Sequence, residues 1–217
     1  MLSLVHSTHT LPPPHVLGPE LYNMLPTIEG AASLCTPAAL SAMTPELSAL
    51  LATFGCEWGM CLVHAHCTLA EGELMLARGN VSQPEMMQNL LEPYFPERWL
   101  ADGRAFEYNA EKTAAPPAEL VTQFHAIVTK AGLAGILGLY FAGNTPPVAE
   151  DRILLEHTEG RANIIESIDV RTADTGNIQT AWRPNLKAGP GMPVTLACVT
   201  TCPSNSHSRG PKHSTRR

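Results

Sequence analysis

Two histidines one residue apart, His64 and His66, stand between Cys61 and Cys67 in the stretch GMCLVHAHCTLAEGELML at residues 59–76. Imidazole ligates Zn, Cu, Fe and Ni. Two rings at i and i+2 of an extended segment project to the same side, where their nitrogens can each reach about 2.0–2.1 Å from one ion. On that geometry Cys61 and Cys67 point the other way, so a four-ligand Cys-His-His-Cys set fails unless the segment is a loop. A third ligand is needed, and His157 is the first choice because it stands on a strand of a second hairpin. Glu156, Cys198 and His125 come after it. The expected metal set is therefore His64, His66 and His157, with Zn, Fe or Cu as candidate ions. For catalysis, His64 and His66 are joined by Glu73 or Glu156 as proton carriers. Without an ion the pair could still do acid–base chemistry, because histidine titrates near neutral pH. A buried pair satisfied by its neighbours would do neither.

Those rings need strands to hold them. Met60 to Leu69 and Glu73 to Gly79 read as a hairpin turning at Glu71-Gly72, where glycine supplies the positive φ of a two-residue loop. In that register Ala77 faces His66 and Gly79 faces His64, leaving room over the imidazoles. RILLEHT and RANIIESI read as a second hairpin turning at Glu159-Gly160, an echo of the first that is too little to establish a repeat. ILGLYFA, NIQTAWRP and PVTLACVTTC supply further strands. Thr36-Pro37 and Thr44-Pro45 each read as a capped helix start, which predicts two helices, the second ended by Gly55. Leu120, Val121, Phe124, Ile127 and Val128 give a helix over Pro117 to Ala131. Gly18-Pro19-Glu20 opens a short turn carrying Leu21, Met24 and Leu25. Residues 80–116 read as irregular, with ERW and FEY as islands; Trp58, Arg98, Trp99 and Trp182 could line a pocket or anchor loops. The expectation is an α+β fold with a largely antiparallel sheet in a single domain over 35–202. A Pro-rich wrap precedes it at 1–34, and a disordered basic tail follows at 203–217.

The histidine segment resembles the first cupin signature through Gly59, His64, His66, Glu71 and Gly79. It departs from that family in placing Glu71 in the turn rather than on the next strand. Val63, His64 and His66, followed by an acidic-Gly turn and a strand, also resemble small proteins of filamentous fungi that carry no assigned activity.

Several chemistries are excluded. His157-Thr158-Glu159 matches half of a zinc-deaminase motif, but Cys198 and Cys202 lack the Pro-Cys-x-x-Cys spacing. A Cys61 or Cys67 nucleophile is opposed by the facing of the histidines. No nucleophile elbow, phosphate loop or His-Glu-x-x-His helix is present. The net charge is −6, and Arg209, Lys212, Arg216 and Arg217 fall in a terminal stretch without acids, so the body repels nucleic acid. MLSLVHSTHTLPPPH does not read as a secretory signal, and the uncharged run from Ala131 to Ala149 is too broken to span a membrane. These features lead to the expectation of a soluble, cytoplasmic protein with reduced thiols. Its function would be a small-molecule pocket over His64 and His66, as a metal-dependent enzyme; the alternatives are a non-catalytic binding or interaction protein and a metal-free histidine acid–base enzyme.

Overall fold

The structure is a computed structural model that describes residues 19–55, 57–145, 149, 151–173, 176–185 and 194–203. The first part of the expected N-terminal wrap, Cys56 and the expected basic tail from residue 204 lie outside the described residues. Among the described residues four α-helices, α1 (Pro19–Asn23), α2 (Ile28–Leu34), α3 (Pro37–Thr53) and α4 (Ala118–Lys130), accompany ten strands. The strands are β1 (Trp58–Leu62), β2 (Glu73–Arg78), β3 (Val81–Met86), β4 (Phe95–Leu100), β5 (Ala105–Asn109), β6 (Leu137–Phe141), β7 (Arg152–Glu159), β8 (Ala162–Asp169), β9 (Ile178–Asn185) and β10 (Thr195–Cys202).

The strands close into one barrel in the order β1-β6-β4-β5-β2-β3-β8-β7-β10-β9, with β9 returning to β1. This corrects the expected α+β fold with a largely antiparallel sheet: the sheet is a closed, mixed barrel in which β2–β5 and β7–β10 run parallel, and the helices are accessories. Residues 80–116 are likewise not irregular. They carry β3, β4 and β5, whose alternation is broken by Pro84, Pro96 and two bulges. Pro84 is tolerated because β3 pairs with β8 only at Val81 and Ser82, so its missing N–H faces no partner strand there.

The first expected hairpin is also corrected. β1 pairs with β6 and β9, not β2, and the chain leaves the sheet after Leu62. Ala77 therefore lies opposite Ser82 and Asn109 rather than His66, and Gly79 turns the β2–β3 hairpin. The β7–β8 hairpin forms where expected, its loop one residue later at Gly160-Arg161. The two helices expected over 37–54 are one. Thr36 caps α3 by accepting from Ala39 N at 3.2 Å, and Pro45 sits inside the helix while Thr44 Oγ1 bonds Leu40 O.

The pairing pattern maps onto itself when each strand of β1–β5 is exchanged for the strand five places later. β2 and β7 open hairpins at Gly79 and Gly160, with φ of 62° and 63°. Arg98↔Glu107 and Trp99↔Ala105 flank a bulge at Phe106, as Ala181↔Thr200 and Trp182↔Cys198 flank one at Val199. Gly59 pairs with Tyr140 and Gly138 with Cys61, and both glycines are held against the backbone carbonyl of a tryptophan, Trp182 or Trp99. In each half five strands follow a long helix, α3 or α4, and α1 and α2 precede the first. The sequence hairpins that look alike are not the ones that correspond, because the equivalent of the β7–β8 hairpin is β2–β3.

α3 and α4 cover one outer face of the barrel, where Leu47, Leu51, Leu120 and Phe124 pack on Trp58, Met60, Leu137 and Leu139. Burying each such side chain is worth about 1.5–3 kcal/mol. The alternate residues of β1 point inward, so Cys61 joins Val63, Met75, Tyr140 and Ala181 inside. α1 closes one end of the barrel with Leu21, Tyr22 and Leu25. Among the described residues no helix is long and apolar enough to cross a membrane.

A histidine–carboxylate cluster as candidate functional site

Beyond β1 the chain crosses the α1-closed end as a pinned, non-strand segment. Val63 N donates to Ile136 O, Ala65 N to Pro26 O and His66 N to Tyr22 Oη at 3.0 Å, while Asn23 both accepts from Leu69 N and donates to Leu69 O. Backbone hydrogen bonds thus fix the segment, and His64 and His66 still turn to a common region with ring centroids 4.7 Å apart. Both are buried, as are Glu107 on β5 and Glu156 on β7.

His64 Nδ1 lies 2.8 Å from Leu62 O. A carbonyl only accepts, so Nδ1 carries the proton and Nε2 carries the lone pair. Burial, reinforced by His66, lowers the His64 pKa to about 4 against a partial opposing pull from Glu156, so the ring is neutral at pH 7. His64 Nε2 stands 3.9 Å from Glu156 Oε2, and His66 Nε2 stands 3.6 Å from Glu156 Oε1 and 3.2 Å from Glu107 Oε1. One ligand atom each of His64, His66 and Glu156 falls within 4.8 Å of the others, so the three could hold one ion. Ligands around tetrahedral zinc stand about 3.3–3.4 Å apart. The 3.9 Å and 3.6 Å go to different oxygens of Glu156, and the 4.8 Å bound on one atom from each residue exceeds the zinc value by roughly 1.4 Å, so the three side chains would draw together around an ion.

Arg98 on β4 joins the two carboxylates, with Nε 3.1 Å from Glu107 Oε2 and Nη2 3.7 Å from Glu156 Oε1. Burial works against its charge, yet the two carboxylates outweigh burial and raise its pKa. Glu107 mirrors this: burial opposes its ionisation, but Arg98 and His66 hold its carboxyl below the usual range. Asn163 Nδ2 donates to Glu156 Oε1 at 2.9 Å, so Arg98 and Asn163 both address that oxygen and Oε2 turns toward His64. Two carboxylates and two imidazoles thus gather around one guanidinium, and buried charges of that kind persist only where they are paired.

The structure brings together His64, His66 and Glu156 from the expected residues and leaves the others elsewhere. His157 faces the opposite side of β7, paired across from Ile164 and 3.6 Å from Glu159, because neighbouring strand residues alternate faces. Glu73 is taken up by Arg161 and Ala70 N at the start of β2 and is not part of the cluster. His125 is exposed on α4, and Cys198 packs at the outer core, where burial pushes its thiol up to about 11. Burial likewise pushes Cys61 up to about 12, which removes it as a nucleophile. Glu107, Asn163 and Tyr22 are site residues that pattern reading missed, and Arg98 was singled out only as a candidate for a pocket wall or loop anchor, not for the histidine cluster. The available signal was charge in an apolar setting, Glu107 between Phe106 and Tyr108 and Arg98 beside Trp99.

A cavity of about 460 Å³ fills the rest of the barrel and opens past Gly79, Asn80, Glu111, Asn144 and Thr145. Arg98 reaches its wall, while the imidazoles, Glu107 and Glu156 lie behind that guanidinium. Thr200 and Ala181 occupy the strand positions corresponding to Glu107 and Arg98, and both line the cavity. Comparison with known families, curated proteins and solved structures finds no match for this chain.

Proposed function

We propose that His64, His66 and Glu156 hold a divalent transition-metal ion, Zn, Fe or Cu, and that the adjoining cavity is a small-molecule site served by it. The observation that carries this reading is the convergence of three buried ligand atoms within 4.8 Å, one of them on an imidazole whose tautomer a backbone carbonyl sets. Two imidazoles and one carboxylate form a recurrent donor set for zinc and non-haem iron, and outer hydrogen bonds such as Leu62 O on His64 and Asn163 on Glu156 orient such ligands. When bound, the ion would supply Lewis-acid or redox chemistry. Arg98 stands between it and the cavity and meets a bound molecule first. Titration of chelator-treated protein with Co²⁺ tests the site: visible d–d absorption that saturates, and that His64→Ala and Glu156→Gln each abolish, is expected. A spectrum that both variants leave unchanged overturns it.

One distance favours a second reading. The 3.2 Å from His66 Nε2 to Glu107 Oε1 is hydrogen-bond length, and an Nε2 that donates a proton there cannot ligate an ion. The cluster would then perform metal-free acid–base chemistry or would only stabilise the barrel. Activity that survives chelators and falls with His66→Ala selects the first of these. Unchanged turnover with lowered stability selects the second.

A further inference from the structure

We propose that the cavity seats a small monocarboxylate with an apolar body, its carboxylate held by Arg183 and the Tyr140 hydroxyl. This deepens the reading of the cavity as a small-molecule site and rests on it, but it does not depend on the ion.

Arg183 on β9 lines the cavity, half-buried. Its Nε donates to Tyr140 Oη at 2.9 Å and its Nη2 to Ala142 O at 3.1 Å, so the guanidinium is held in place by neutral acceptors. Among the described residues no carboxylate lies within ion-pair distance of it, whereas Arg98, the other arginine on the cavity wall, is bridged by two. Nη1 and the Tyr140 hydroxyl proton remain to address a bound group, and a guanidinium fork matches the two oxygens of a carboxylate. A half-buried cation fixed by neutral neighbours at the edge of a cavity is a seat for an anion.

Gly59 makes the seat possible. Tyr140 pairs across the strands with both Gly59 and Arg98, and a Cβ at Gly59 would fall 2.3 Å from the Tyr140 ring. Only a residue without a side chain lets the ring lie across β1 and reach Arg183. The character of the ligand follows from the remaining wall. Ala77, Leu154, Ile165, Ala181 and Val199 offer apolar surface for a body of modest size. Glu97 and Glu111 also line the cavity, and Glu97 is engaged by Asn109 Nδ2 at 2.7 Å rather than by Arg183. Those acids disfavour a second negative group, which selects a monocarboxylate over a dicarboxylate.

Calorimetric titration of the full chain with benzoate, hexanoate, succinate and neutral benzamide tests this, with and without prior chelation. Benzoate and hexanoate are expected to bind, benzamide and succinate at least about tenfold more weakly. Arg183→Gln should weaken benzoate by about tenfold or more while leaving benzamide unchanged, and Arg183→Lys should recover part of the loss. Thermal unfolding checks that both variants fold. The proposal is overturned if neither monocarboxylate binds up to about 10 mM, if Arg183→Gln binds benzoate as wild type does, or if benzamide matches benzoate. Binding that survives chelation supports the seat even where the metal reading fails. Binding that appears only with metal loaded overturns the seat and leaves the metal reading standing.

Discussion

Replacing Gly59 by alanine tests the link between the duplicated scaffold and the cavity. The added Cβ would lie 2.3 Å from Tyr140 Cε1, 2.6 Å from Cζ and 2.7 Å from Trp182 O. The ring is tethered through its hydroxyl to Arg183, and the carbonyl belongs to a β9 strand paired on both sides. Neither neighbour can yield cheaply. Inserting a methyl group into such packing costs about 1–3 kcal/mol, and two immovable neighbours place this site near the top of that range. For a domain of this size each kcal/mol shifts Tm by roughly 2–4 °C, so a fall of roughly 6–12 °C is expected. Gly135→Ala is the control, because a Cβ there meets nothing within 4 Å and its φ is not positive; its effect should stay within about 0.5 kcal/mol. Urea and thermal unfolding of both variants beside wild type decide the matter. Equal stability of Gly59→Ala and Gly135→Ala would refute the register and the placement of Tyr140.

Arg98→Met removes the cation between two buried carboxylates and should destabilise the fold by about 3–5 kcal/mol, read from urea unfolding at pH 7; a loss under about 1 kcal/mol would show that the carboxylates are not ionised together. Folded His64 titrates near 4, well below the ordinary histidine value, so the unfolded chain takes up its proton first. Its contribution is fully present above about pH 6.5 and is lost as pH falls toward 4, on the order of 3 kcal/mol in chelator-treated protein. Glu107, held low, acts in the same sense at lower pH. His64→Gln should flatten the dependence between pH 7 and 5, and an unchanged slope would contradict the assignment. Glu73→Gln weakens only the half-exposed pair with Arg161, so it should cost under about 1 kcal/mol and leave Co²⁺ absorption untouched.

The histidine pair at the candidate cluster was legible from local pattern, while its carboxylate partners and most of the fold were not. The His-x-His spacing, the helix ended by Gly132 and the β7–β8 hairpin are all local signals. Choosing between Glu156 and His157 needed the facing of β7, and its interior residues alternate too weakly between apolar and polar for the sequence to supply it. Barrel closure was hidden because the parallel pairs β2–β5 and β7–β10 join strands with two others between them, a separation no turn signal marks. Bulges at Glu97 and Phe106 break the alternation that would have marked β4 and β5, and those bulges put Arg98 and Glu107 at the cluster. Pro45 looked like a helix start because Thr44 precedes it. The helix continues through it, anchored at Ser48 by a bond to Val194 O.

Elemental analysis of protein purified without chelators, beside the His64→Ala/His66→Ala double variant and Arg183→Gln, tests the metal centre most directly. About one transition-metal ion per chain in wild type and Arg183→Gln, and none in the double variant, is the expected result. Wild-type protein that carries no such ion and retains none after loading with Zn²⁺, or a double variant that retains as much as wild type, would contradict it.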